Sequence, residues 1–183
     1  QIDDYRVKKL WKTAKEATSN DAIGLSMANA KFTGIIGAAS HGLLLSTSVR
    51  EAIDQANIFA NYFSPSFRFD DSETKSEYLI KLTFINGYKT IGQDSIDLLI
   101  AYVQLILNHS FKGEVSPRKI YLTREKPKNT DIYKETLGCP IEFNHPFNGL
   151  LFDRYILDNL PPMGNDILAG IHKETFIPML KRE

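Results

Sequence analysis

The sequence predicts an α+β fold, with an antiparallel sheet of about four to five strands packed with a buried central helix and preceded by an N-terminal helical portion. Three observations carry this expectation. A helix with a complete start signal begins at Ser48, the apolar period changes from 3.6 to 2 after Pro65, and a nearly all-apolar helix from Ser95 to His109 stands between strand segments. With 183 residues, 43% of them hydrophobic, the chain has enough apolar material for one domain. Within it, residues 1–64 form the helical portion and 65–183 the sheet-plus-helix portion.

Asp4 is placed to cap a first helix in which Val7, Leu10, Trp11 and Ala14 recur at helical spacing. Arg6, Lys8, Lys9, Lys12 and Lys15 spread over the rest of it as a solvated surface. A shorter helix is expected from Asp21 to Ala30, carrying Ile23, Leu25 and Met27. From Lys31 to Leu45 the chain is apolar and holds Gly34, Gly37 and Gly42, small residues that let backbones approach closely. A phosphate-cradling loop is disfavoured there, because no Gly-Lys-Ser/Thr ending and no strand-turn-helix context accompany the glycines.

Ser48-Val-Arg-Glu51 is a capping box, in which hydroxyl and carboxylate reciprocally satisfy backbone donors. Val49, Ala52, Ile53, Ala56, Phe59, Ala60 and Phe63 follow at helical spacing until Pro65 stops the helix. Phe67 and Phe69 then oppose Arg68, a polar turn runs from Asp70 to Lys75, and Tyr78, Ile80, Leu82 and Phe84 alternate with Leu79, Lys81, Thr83 and Ile85. These two runs read as an antiparallel hairpin closed by Asn86-Gly87. Asp94 or Ser95 caps the apolar helix, which leaves so little polar surface that something other than the sheet must also cover it.

Pro117 opens a third strand with Ile120 and Leu122, and Lys126-Pro127 breaks it. Asn129 or Thr130 caps a short helix with Ile132, Tyr133 and Leu137, terminated by Gly138. Ile141 and Phe143 make a fourth strand, Asn148-Gly149 offers a type I′ turn, and Leu150 with Phe152 makes a fifth. Asn165 caps a last helix, with Ile167, Leu168 and Ile171 expected inward and an end or kink at Pro178.

Composition narrows the function. Twenty-two Lys+Arg against 22 Asp+Glu give zero net charge, a poor basis for an autonomous nucleic-acid binder. No apolar run is long enough to span a membrane. One cysteine, Cys139, excludes a disulfide framework and suits a reducing, cytoplasmic setting. The chain opens on Gln1 without a signal-peptide pattern, which reads as a fragment of a longer protein.

Chemistry-bearing motifs are sparse. There is no Gly-x-Ser-x-Gly elbow, and Ser40-His41 adjacency does not make a dyad. Cys139 sits at a helix-to-strand corner that follows a helix C-terminus, whereas a reactive thiolate would want nearby cationic groups or a helix N-terminus. His41, His109, His145 and His172 have no metal-ligand spacing, so no cofactor or metal is expected and the chain does not read as an enzyme. Eleven Phe and eight Tyr sit largely where strands face the apolar helix, either as plain core or as a small-molecule pocket. If a pocket, its candidate lining is Phe67, Phe84, Leu99 and Val103, with Arg68, Tyr102, Arg124 and His145 as polar anchors.

The segment Leu10 to Leu25, the glycine-bearing stretch leading to Ser46-Thr-Ser-Val-Arg-Glu-Ala-Ile53, and Pro127 to Leu151 carry a resemblance. So, above all, do Tyr133-Lys-Glu-Thr-Leu-Gly-Cys-Pro-Ile-Glu-Phe143 and Asn148-Gly-Leu-Leu-Phe152. Together they resemble the N-terminal, arabinose-binding-like domain of AraC-type transcription regulators, in the group of ornithine-utilisation and virulence regulators rather than the cupin-like sensors. The resemblance implies a domain that binds a small-molecule effector or controls self-association as a homodimer. It also implies a C-terminal domain of two helix-turn-helix units, absent here, as the sole contact with DNA. It implies no catalytic residue and no membrane partner.

Overall fold

Apolar alternation over residues 67–84 folds as the expected hairpin, and the helices gather on the face that it buries. The computed structural model describes residues 4–29, 38–88, 90–112, 115–128, 130–159, 161–162 and 164–180. Gly34, Gly37 and Asn129 lie outside these, as do the side chains of Asp4, His41, Phe59 and Phe63. The helical portion comprises α1 (Asp4–Thr18), α2 (Ile23–Asn29), α3 (Ala38–Leu45) and α4 (Val49–Phe63). There follow β1 (Phe67–Glu73), β2 (Glu77–Phe84), α5 (Gln93–Ser110), β3 (Lys119–Tyr121), α6 (Asp131–Leu137), β4 (Ile141–Glu142) and β5 (Asn148–Asp153). A 3-10 turn at Arg154–Leu157 precedes α7 (Asp166–Leu180).

The five strands form one sheet in the order β1-β2-β5-β3-β4, antiparallel except for the β3–β4 pair. One face is core: Phe67, Phe69, Tyr78, Ile80, Leu82, Ile120, Leu150 and Phe152 are buried. Against it lie Ile96, Ile100, Val103 and Leu107 of α5, each burial contributing about 1.5–3 kcal/mol. The alternate residues Leu79, Lys81, Tyr121 and Leu151 are only half-buried on the other face.

Several expectations are corrected. β4 and β5 do not form a hairpin, because β5 inserts between β2 and β3 while β4 pairs parallel with β3. Asn148-Gly149 is consequently strand rather than turn. Asn148 is buried, its Oδ1 accepts from the Thr123 amide at 2.8 Å, and the left-handed backbone falls at Asn144 (φ 57°). β1 runs through to Glu73, where a turn was expected from Asp70, because its residues continue to register with β2 as far as Glu73 opposite Tyr78. On α7, Ile167, Leu168 and Ile171 point outward, 75%, 47% and 54% exposed. The helix docks instead through Ala169, His172 and Lys173, and it continues past Pro178, whose missing N–H leaves the Glu174 carbonyl without its helical donor. Leu10 of α1 is exposed as well, while Trp11 is buried and donates from its indole N–H to Ser95 Oγ at 2.7 Å.

The Ser48 start signal folds much as read. Ser48 Oγ accepts from the Glu51 amide at 3.1 Å, and Glu51 Oε2 reaches back to the Thr47 amide at 2.7 Å and the Thr47 hydroxyl at 2.9 Å. The other carboxylate oxygen accepts from Lys173 of α7. Beside it, Gly42 of α3 lies under the His172 ring, where a Cβ would come within 2.5 Å of Cε1. The α3–α4 junction thus holds the last helix.

Replacing Ser48 by Ala should cost about 1 kcal/mol in urea denaturation, the usual loss for an N-cap. Burial tends to raise the Glu51 carboxyl, but donation from Lys173 and Thr47 outweighs it and holds the group below its ordinary 4.5. A depressed carboxylate contributes its stability above the unfolded pKa and loses it as pH falls through the folded one. The protection factors of α7 amides, each taken relative to the intrinsic exchange rate at that pH, should therefore fall as pH drops below 4.5, and Lys173→Gln should flatten that dependence.

Candidate functional site

Among the buried polar residues that interrupt the apolar surface of α5, Asp97 and Gln104 share one side of the helix. On α6, Tyr133 and Leu137 share a side in the same way, and the two helices meet there. The Tyr133 hydroxyl donates to Asp97 Oδ2 at 2.6 Å, and Gln104 Nε2 donates to the Leu137 carbonyl. Arg124, just after β3, donates from Nη1 to both Asp97 Oδ2 and the Tyr133 oxygen, with its guanidinium 5.3 Å over the Tyr133 ring. The Asp97 side chain is fully enclosed and that of Arg124 only 14% exposed.

Burial pushes the Asp97 carboxyl above its ordinary 3.8, against the pull of the Arg124 charge and the Tyr133 and Arg124 donors. Burial also raises the Tyr133 phenol, with the Asp97 charge and hydrogen bond adding to it, so that the hydroxyl keeps the proton it donates. Three segments, α5, the β3 exit and α6, are locked by one charged group of three.

A cleft of about 390 Å³ opens on the outer side of this group. One wall comes from Lys126, Thr130 and Lys134, the other from the stretch 139–144 containing Cys139, Ile141 and Phe143. The second wall is stitched to β3: Ile120 donates to the Pro140 carbonyl at 2.9 Å, Leu122 to that of Glu142 at 2.9 Å, and Asn144 to that of Arg124 at 2.9 Å. Phe143 stands edge-on to Tyr133, ring centroids 5.5 Å apart, so one ring separates the cleft from the buried triad. Burial pushes the Cys139 thiol up to about 11, which leaves it a protonated, apolar patch of the floor rather than a nucleophile.

The eight residues singled out from the sequence lie in different surroundings. Arg124 is in the triad. Arg68 is exposed on β1 and pairs with Asp70 at 2.7 Å. Tyr102 is buried on the side of α5 that faces α3, beside Leu43 and Ile106. His145 stacks on Tyr121 at 4.2 Å on the half-open face of the sheet. Phe67 and Phe84 are opposed in the β1–β2 register, Val103 is buried in the core and Leu99 packs against it. Packed side chains occupy the space between α5 and the sheet. Sequence reading missed Asp97 and Tyr133 as partners of Arg124, and Gln104 as the donor to the Leu137 carbonyl, although two polar residues two turns apart in an apolar helix were the available signal.

Among the described residues, no group of three or more His, Cys, Asp or Glu side chains is arranged to hold a metal. No described helix is long and apolar enough to cross a membrane.

Comparison with known proteins puts this arrangement in the class of transcription-regulator domains. The family model described as the N-terminal arabinose-binding domain of AraC transcription regulators matches residues 1–160. The chain belongs to that family. Among curated protein sequences none matches it. The solved structure of the transcriptional regulator CdpR from Pseudomonas aeruginosa is similar in fold, with a TM-score of 0.63 at 12% identity over 81% of this chain and 49% of that one. The chain therefore spans about half the length of that regulator.

Removing Asp97 strands the Arg124 charge in a largely dry site. Asp97→Ala should destabilise the domain by about 3–5 kcal/mol in urea denaturation. Tyr133→Phe, which deletes one donor, should cost about 1–3 kcal/mol.

Proposed function

We propose that the chain is a non-enzymatic sensing domain that binds a small-molecule effector in the cleft between α6 and the 139–144 wall. In a longer cytoplasmic regulator that carries it, effector binding would set self-association and the placement of the DNA-binding units. The observation that carries this reading is the contact of cleft-lining Phe143 with Tyr133, and through Tyr133 with Asp97 on α5. An effector acts only by binding one arrangement of the domain better than another. Here the arrangement it touches is the seat of α6 on α5, against which α2 and α3 also pack. α3 in turn carries α7 through Gly42 and His172.

A second reading, a self-association module without effector, is supported by the outward Ile167, Leu168 and Ile171 of α7. A contiguous apolar patch of this kind is common at protein interfaces.

Thr130 lines the cleft and its side chain caps no helix amide, so Thr130→Trp fills the space at little structural cost. A thermal-shift panel of small acids, amines and sugars should yield at least one saturable rise in Tm that Thr130→Trp abolishes. If none raises Tm while sedimentation shows a dimer that Ile171→Asp dissociates, the second reading holds instead.

A further inference from the structure

Resting on that reading of the cleft, we infer that its ligand is a small amphipathic carboxylic acid, its carboxylate held between Lys126 and Lys134 and its apolar part laid on Ile141 and Phe143. Charge decides the sign of the ligand. Lys126 and Lys134 line the cleft and form no ion pair among the described residues. Glu142, the acid in the lining, is already engaged, with Lys119 Nζ at 3.1 Å and His145 Nε2 at 4.0 Å. The neighbouring acids Glu125, Asp131 and Glu135 do not line the space. Two cations facing a cleft without an available counter-charge favour an anion, and the low-dielectric floor strengthens that preference.

The rest of the lining decides what kind of anion. Ile141, Phe143, Pro140 and the protonated Cys139 make one wall mostly apolar, which rewards a hydrocarbon or aromatic body and penalises a sugar or a bare inorganic ion. Phosphate groups are usually gripped by arginine forks or rows of backbone amides, and the cleft is lined by neither an arginine nor a long helix N-terminus. Lysine ammonium groups are point charges that suit a singly charged carboxylate. At about 390 Å³ the cleft is near the small end of ligand pockets, so the acid is short. Thr130 and Asn144 at the rim offer hydrogen bonds to its polar end.

Calorimetry on the full chain with benzoate and hexanoate, their neutral amides, and inorganic phosphate tests this. At least one acid should bind, with its amide about tenfold weaker or more. Lys126→Gln and Lys134→Gln are exposed changes that leave the fold alone, and each should weaken the acid by about tenfold, while Lys128→Gln, outside the cleft, should not. Equal affinity for acid and amide, indifference to both substitutions, or binding of phosphate alone overturns the inference. Should an amine or a sugar raise Tm and be blocked by Thr130→Trp while the acids fail to bind, this inference falls and the sensing reading stands. If nothing in either panel binds, both fall.

Discussion

A helix of 18 residues that is apolar around most of its circumference has to be enclosed, and α5 imposes that requirement on the rest of the chain. The sheet covers one side through Tyr78, Ile80, Leu150 and Phe152. α2 packs closely on another, α3 seals Tyr102 and Ile106 with Leu43, and α6 closes the remaining gap. α1 is then held at the start of α5 by Trp11 on Ser95 and by Lys15, 2.8 Å from Asp94. The helical first third of the chain is thus the lid of a core whose floor is the sheet.

The side covered by α6 is the one that carries charge. An apolar α6 would have buried its side more cheaply, since enclosing Asp97 and Arg124 costs desolvation that their attraction repays only with good geometry. What the polar contact adds is direction: carboxylate, guanidinium and phenol meet in one arrangement, where greasy surfaces could slide. That fixes α6, and through Phe143 the position of one wall of the cleft, relative to α5. Asp97 Oδ1 and Arg124 Nε remain without a hydrogen-bond partner among the described residues.

Much of the architecture was legible because its determinants are local. The Ser48–Glu51 box, the Phe67 to Phe84 alternation, Asn86-Gly87 with both residues at positive φ and Gly138 in the left-handed region at the end of α6 each announce themselves within a few residues. The failures share a cause. Asn148-Gly149 has the composition of a turn, but β5 is needed between β2 and β3, and Asn148 satisfies an amide 25 residues away. Ile167 and Ile171 look like a buried stripe, yet Gly42 and Glu51 make a better seat for His172 and Lys173. Arg124 was recognisable as a polar residue in apolar surroundings. Its partners were not, because they lie 27 and 9 residues off on other elements. The cleft is assembled likewise from a loop, a short helix and an edge strand, none of which carries a motif.

The sheet's two borders have a further consequence. One border strand, β1, is studded with Arg68, Asp70, Asp71 and Glu73, and the other, β4, is two residues long and preceded by Pro140. Charged or truncated edges are poor templates for strand addition. The domain is thereby protected against runaway polymerisation through its backbone amides, and any symmetric partnership it forms is steered to its side-chain surfaces, where a few residues can tune how tightly and how reversibly two copies meet.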